Sequence, residues 1–469
     1  MKSIIYTLKL TATIGTAIII SSCSVQKQQP LELELPQSFR TNSSDIDSIS
    51  IAPIHYKNFF KDTVLVALID KAVQQNNDLR LALKQIEFAS MTYKQSKWGN
   101  LPKIDATLGS ATVNRPAENN NSPSNGKKYQ EDYNTAINLS WEADIWGKIS
   151  GIKEQALDDY LITQEAAKAV KSRLVSEVVT GYYNLLMLDK QLEISQENLS
   201  FAKQTNEILQ KQYELGMITS LAVQQQEMAI EQIEKTIPAI ENAISVQENS
   251  LSVLSGSMPN IVERKIGLDQ AHHPESLASG IPAELLSNRP DVKSGELNFK
   301  KSIASIHIAK VSMYPSLNIT AQGGLNALKT SNWFTIPGSL FGLATASLTQ
   351  PLLNGKQLKT LYEQAKINSE MAEIQFKQSV LNAVSEVSDA LVAIEKLERQ
   401  QQIGENLVEK ATQVVSNSVT LYQYAEATYL EVLLAQSNKL HSELELAAVK
   451  TQRLNAIATL YRALGGGVQ

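Results

Sequence analysis

Along AKVSMYPSLNIT, residues 309 to 320, the spacing of apolar positions changes period within a few residues. Upstream, Ile303, Ile306, Ile308 and Val311 recur at helical spacing. Beyond Pro315, Leu317, Ile319 and Ala321 alternate with Asn318, Thr320 and Gln322, as in a strand with one apolar and one wet face. SKWGNLPKIDAT at 96 to 107 makes the same switch around Pro102. Proline ends a helix and forfeits no ladder bond at the start of a strand, so one residue can pass the chain from one element to the other. The pattern predicts helices over about 62–99 and 283–312 and strands at 103–113, 132–143, 316–328 and 340–350. Between the paired strands lie polar or turn-rich tips, RPAENNNSPSNGKKYQ and TSNWFTIPG. Each second strand leads through a Gly-Lys junction, at Gly147 or Gly355, into a very long helix. From Lys148 to Leu215 there is no proline, and only Gly151 and Gly181 weaken the helix; at 1.5 Å per residue it spans about 100 Å. A helix returns over Ser220–Leu254, where Pro238 should kink or interrupt it, and a matching one runs over Thr428–Leu464.

The two sets of elements are copies. At an offset of 213 residues, Asn77-Asp78-Leu79 meets Pro290-Asp291-Val292 and Leu101-Pro102 meets Tyr314-Pro315. At a slightly smaller offset WEADIWGK (141 to 148) meets TQPLLNGK (349 to 356), and YELGMITSL (213 to 221) meets YQYAEATYL (422 to 430). A period of about 210 residues is far longer than that of solenoid repeats, so this is one duplicated unit. It divides the chain into a first repeat at 61–280 and a second at 281–469.

The strand Ala136–Ala143 sets Ile137, Leu139 and Trp141 against Asn138, Ser140 and Glu142. Such a face belongs either in a soluble core or against lipid, with the polar face toward a water-filled lumen. Trp98, Trp141, Trp146 and Trp333 all fall within or beside strand segments, joined by Tyr133, Tyr314, Phe334 and Phe341, and the long helical stretches carry no tryptophan. That distribution fits an interfacial aromatic girdle. Four strands cannot close a barrel, and an open edge in lipid leaves backbone groups unpaired, so a membrane barrel must be shared between chains. Two chains give 8 strands and three give 12; since an 8-stranded barrel is filled by its own side chains, an open conduit favours the larger number.

At the N-terminus, Lys2 and Lys9 flank an apolar run over Leu10–Ile20, too short to span a bilayer. It ends in Ile20-Ser21-Ser22-Cys23, which resembles the lipobox of bacterial lipoproteins. The expectation is a signal peptide at 1–22, acylation of Cys23, the only cysteine, and a lipid-anchored extended segment at 23–60. No later segment approaches a membrane helix. The net charge of −5 is spread evenly along the sequence, which argues against a nucleic-acid partner.

RPDVKSGELNFKKSIASIHIAKVSMYPSLNIT (289 to 320), YQYAEATYLEVLLAQ (422 to 436) and the ending LYRALGGG (460 to 467) resemble the outer membrane efflux proteins of the TolC and OprM type, specifically their lipidated branch. The resemblance covers nearly all of the mature chain. It implies an α+β membrane protein, a homotrimer whose 12-stranded barrel, four strands per chain, continues into a long periplasmic helical barrel. It also implies a periplasmic adaptor and an inner-membrane RND-type pump as partners, with drugs or other toxic small molecules as cargo. A polypeptide secretion channel shares this architecture, and a lipid-anchored coiled-coil spacer is the alternative of another class; the lipobox and the RPD motif favour efflux, and a spacer needs no amphipathic strands.

Nothing in the sequence predicts catalysis. The histidines His55, His272, His273, His307 and His441 lack further metal ligands at usable spacing, no nucleophile and base are grouped, and GGG at 465 to 467 reads as a helix stop. No metal or cofactor is expected. Periplasmic tip turns are expected at Gly216 and Thr219, where glycine takes a positive φ, and at Ala425 and Thr428 in the second copy. Leu430, Glu431 and Leu434 share one helical stripe beside Tyr422. In the resembled family this stripe closes the lumen, usually with an aspartate at the position of Leu434. The expected gate is therefore two apolar constrictions, from Leu430 and Leu434, with Glu431 adding cation preference.

Overall fold

The computed structural model describes residues 50–114, 129–271, 280 and 282–468, with Pro36 and Phe39. The signal segment, Cys23, the first-copy tip at 115–128 and the pair His272-His273 lie outside the described residues. In chain order the elements are α1 (Thr63–Gln75), α2 (Asn77–Ser96), β1 (Lys103–Asn114), β2 (Gln130–Ala143), α3 (Lys148–Glu214) and α4 (Ser220–Leu254). The second copy follows with α5 (Pro290–Val311), β3 (Ser316–Ala327), β4 (Leu340–Thr349), α6 (Gln357–Gln423) and α7 (Tyr429–Ala463).

Three expectations change. The helix anticipated over 283–312 is interrupted at Arg289, which is extended (ψ 119°), and runs on only from Pro290 to Val311. The helix anticipated over 62–99 is broken at Asn76, whose buried side chain accepts from the Leu79 N–H and donates to the Leu254 carbonyl, fixing an extended ψ of 129° between α1 and α2. Pro238 does not interrupt α4, which runs unbroken from Ser220 to Leu254. Pro238 and Glu234, the residue four positions earlier, are both exposed, so water can take the carbonyl that the proline leaves unbonded.

The duplication extends to backbone detail. Both α3 and α6 are 67 residues long, and their starts, Lys148 and Gln357, set an offset of 209 residues. The residue opposite Gly147 (φ 76°) is thus Lys356 (φ 65°), which takes a left-handed conformation without being glycine, and Gly355 (φ 61°) lies one place earlier. The returning helices end alike. A Cβ on Gly256 would sit 2.4 Å from the Gln75 carbonyl oxygen, and one on Gly465 would sit 2.4 Å from that of Asn288. Each glycine lets the end of one helix pack directly on the backbone two residues before another begins, at Asn77 or Pro290.

The four strands form one antiparallel sheet in sequence order, β1-β2-β3-β4. Across it, Ile104 pairs with Leu139, Leu139 with Ala321 and Ala321 with Ala344, while the neighbouring row runs through Asp105, Asn138 and Gln322 to Leu343. Over β1, β2 and β3 these rows set an apolar face against a polar one, as the alternation predicts, and β4 adds Phe341 and Leu343 to the polar side. Beyond marginal contacts, the described strands pack only on one another, and no helix covers either face. Ile104, Ile137 and Leu348 are each more than 60% exposed on the chain. An apolar face without a core is unsuited to water, which excludes the soluble-sandwich reading. Among the described residues, β1 and β4 are left with one unpaired edge each. The helices leave the sheet in the same order: next to the strands α2 packs on α3, α3 on α5 and α5 on α6, and farther away α4 packs on α3, α3 on α7 and α7 on α6.

Arg289-Pro290-Asp291 and the ending LYRALGGG lie between those two tiers. Arg289, 4% exposed, donates from Nε and Nη2 to both oxygens of Asp291 (2.9 and 2.6 Å) and from Nη1 to Glu386 Oε2 (2.9 Å) and the Ala463 carbonyl (3.1 Å). It thereby joins the start of α5, the middle of α6 and the end of α7. Burial works against the charge of Asp291, but the guanidinium outweighs it and holds that carboxyl below the ordinary carboxylate range. Arg289→Ala leaves the buried Ala463 carbonyl without a donor and the half-exposed carboxylates of Asp291 and Glu386 without their partner, and is expected to cost about 1–3 kcal/mol. Thermal unfolding in mild detergent at neutral pH should show a markedly lower midpoint. The Asp291 part of the difference should shrink as pH falls into the range where that carboxyl takes up a proton, because a depressed pKa stabilises only above it.

Candidate functional site

The tryptophans staple the points where helix becomes strand. Trp141 donates from its indole to the Asn100 carbonyl (2.9 Å), and Trp146 donates to that of Pro315 (2.7 Å) while standing edge-on to Tyr314. Pro102 and Pro315 therefore lie beside an aromatic tier at the helix end of the sheet. At the far end Tyr133, Trp333 and Phe334 form a second tier. Tyr133 and Trp141 are eight residues apart on β2, about 26 Å at 3.3 Å per residue, which matches the height of the apolar band in outer-membrane barrels.

The other end of the long helices carries the two tips. After α3 the chain turns through Gly216 at φ 71°, with Met217 N–H bonded to the Gln212 carbonyl (2.8 Å) and Gly216 N–H to that of Tyr213 (2.9 Å). After α6 the same turn forms around Ala425 at φ 58°, with Glu426 N–H on Leu421 and Ala425 N–H on Tyr422. Thr219 and Thr428 then open α4 and α7 from matching extended conformations. Geometry is duplicated; chemistry is not. At the second tip the Glu431 carboxylate reaches back to the Thr428 N–H (2.6 Å) and hydroxyl (3.1 Å), so it caps α7 as well as carrying charge.

On α7, Tyr429, Val432 and Ala435 are buried, while Leu430 and Leu434 are 50% and 54% exposed and Glu431 lies beside them in the open. The structure thus brings the three stripe residues together on the face turned away from the protein's own packing. It places Tyr422 elsewhere. Tyr422 is half-buried and donates from its hydroxyl to Gln212 Oε1 (2.6 Å) on α3, linking the two repeats just above the tips. Sequence reasoning missed the partner layer. The Tyr429 hydroxyl meets the Gln226 side-chain carbonyl in a short contact, and the fully buried Gln226 donates onward to the Ala202 carbonyl (2.6 Å). Gln226 sits in the run Gln224-Gln225-Gln226-Glu227, where nothing marks one glutamine as buried. Burial pushes both tyrosine hydroxyls up from their ordinary value, so they remain neutral donors.

With this geometry in place, comparison with known proteins is decisive on family. The profile of the outer membrane efflux protein family matches residues 68–257 and 281–466, and the chain belongs to that family. It is similar to the solvent efflux pump outer membrane protein SrpC of Pseudomonas putida, 27% identical over 459 residues, with 96% of each chain covered. It is also similar to the cation efflux system protein CusC of Escherichia coli K12, 25% identical over 458 residues, covering 96% of this chain and 98% of CusC. A crystal structure of CusC superposes with a TM-score of 0.84 over 95% of this chain and 100% of that one. The protein is accordingly an outer membrane efflux channel with a helical periplasmic extension.

Removing one hydroxyl at a time should separate the two tyrosines. Tyr422→Phe loses a half-buried neutral bond, about 0.5–1.5 kcal/mol, and should raise open probability in planar bilayers. Tyr429→Phe strands a buried acceptor on Gln226 and should cost about 1–3 kcal/mol in thermal stability. Equal stability loss in the two variants would contradict this assignment.

Proposed function

We propose that three copies of the chain close a 12-stranded barrel in the outer membrane and a helical duct below it, an exit path for toxic small molecules. The observation that carries this reading is the open-edged sheet: β1 and β4 each end in unpaired backbone that lipid cannot satisfy, so only further copies complete it. The helices attached to those edges carry matching apolar stripes. Leu81, Phe88 and Met91 lie on α2, and Ile367, Met371 and Ile374 on α6, all at least half exposed on the single chain. Placing β1 of one copy beside β4 of the next brings these stripes together. A periplasmic adaptor at the tips and an inner-membrane RND-type pump supply cargo and energy, and the chain itself performs no catalysis. The relatives' names, solvent efflux for one and cation efflux for another, support a conduit that leaves selection to the pump. Acylation of Cys23 adds an anchor that barrel closure does not need.

At the aperture, Leu430 and Leu434 form the apolar constrictions and Glu431 contributes cation preference, as hydrophobic and acidic rings do in channels. Replacing both leucines with serine should raise single-channel conductance. Glu431→Gln keeps a side chain able to cap α7 and should lower cation over anion selectivity; unchanged conductance and selectivity across both variants places the aperture at other residues.

Assembly has its own test. Phe88 and Ile367 lie at similar depth below the strands, about 12–15 Å at 1.5 Å per residue. With Phe88→Cys and Ile367→Cys in one chain, oxidation should produce covalent species up to trimer and no larger, and Cys23→Ser should still run at the trimer mass in mild detergent. Recovery of monomer alone would sink the shared barrel.

A further inference from the structure

Where the four helices meet the sheet, lysine gathers and carboxylate thins out. The ten helical residues nearest the strands hold Lys94 (α2), Lys148 and Lys153 (α3), Lys310 (α5), and Lys359 and Lys366 (α6), with Lys97 and Lys356 at the boundaries of α2 and α6, against Glu87, Glu154 and Glu363. All three glutamates are paired with lysines, Glu87 with Lys84 (2.9 Å), Glu154 with Lys300 (3.4 Å) and Glu363 with Lys366 (3.4 Å). Lys148 pairs with Glu142 at 2.9 Å. The other six are exposed, and among the described residues none has a carboxylate within ion-pair distance. At the tips the balance reverses: the corresponding ten-residue segments carry Glu207, Glu214, Glu227 and Glu431 against Lys211.

Lys94, Lys97 and Lys310 stand at helix C-terminal ends, where the macrodipole favours a cation, and at the start of α3 Asp144 accepts from the Ile149 and Ser150 N–H groups (both 2.9 Å) while Lys148 pairs with Glu142. Lys356 is the exception: it stands at the N-terminal end of α6, which has no acidic residue in its first turn, and among the described residues it has no carboxylate partner that could answer its charge. The level of the band is marked by exposed apolar residues that suit a bilayer boundary: Trp98 (68%), Ile145 (53%), Leu352 (86%) and Leu353 (98%). Lysine stems can lie along such a surface while their ammonium groups reach the phosphate layer.

We propose that this lysine band is a docking surface for anionic phospholipid headgroups of the periplasmic leaflet, fixing the depth at which the sheet sits. It rests on the outer-membrane placement of the strands. The full-length protein is reconstituted in nanodiscs of equal parts phosphatidylcholine and phosphatidylglycerol, and its retained lipid is counted by native mass spectrometry. In the variant with Lys94, Lys97, Lys310, Lys356 and Lys359 all changed to glutamine, enrichment of phosphatidylglycerol is expected to fall at least about fivefold. Lys211→Gln with Lys235→Gln, near the tips, should leave it unchanged. Equal enrichment in both variants overturns the proposal, as does loss of bound phosphatidylglycerol from the native protein on adding inorganic phosphate at constant ionic strength, which would mark a phosphate site. A shift of ion selectivity with lipid retention intact would place the lysines in the lumen and also overturn it. Failure of the native chain to enter nanodiscs would instead count against the membrane-spanning strands themselves.

Discussion

A sheet of four strands with two unpaired edges cannot end in lipid, and most of the architecture follows from that constraint. It falls on β1 and β4, the two edges of the described sheet. It also orders the helices: α2 leads into one edge strand, α6 leaves the other, and α3 and α5 attach to the strands between. The apolar face needs no covering layer because the bilayer supplies one, so the strands carry Gly323, Gly324 and Gly342 with no core to fill. At Gly324 a Cβ would come within 1.9 Å of the Thr135 carbonyl oxygen, so close backbone approach requires glycine there.

Duplication gives the two halves one geometry, and function depends on where their chemistry diverges. Both tips use the same left-handed turn, once with Gly216 and once with Ala425, a residue that pays a steric cost in that conformation. Only the second tip carries the Tyr422 link to the first repeat, the capped Glu431 and the exposed leucine stripe. Between sheet and tips, the buried guanidinium of Arg289 ties three helices, and on the first-repeat side Arg264 clasps Asp189 with two bonds (2.8 and 2.9 Å) and also meets Glu248. The Tyr422 and Tyr429 links near the tips are between neutral side chains, whereas those of Arg289 and Arg264 are ionic.

Element types, the helix-to-strand switch at both prolines, the duplication and the alternation of the strands were legible in the sequence, because each depends on period and on residues adjacent in the chain. So were the Gly216 turn and the exposed stripe of Leu430 and Leu434, which helical spacing alone puts on one face. The break at Asn76 was not legible, since its cause is the Leu254 carbonyl 178 residues away. Nor was the uninterrupted passage of α4 through Pro238, which depends on which face of the helix meets water. Tyr422 was expected beside the stripe at the aperture, whereas packing links it to Gln212, and only the fold could bring a residue 210 positions distant within hydrogen-bond reach. The charges that are evenly spread along the chain became a basic band and an acidic end only once four separate helix termini were set side by side, because electrostatic sorting is a property of positions in space and not of order in sequence.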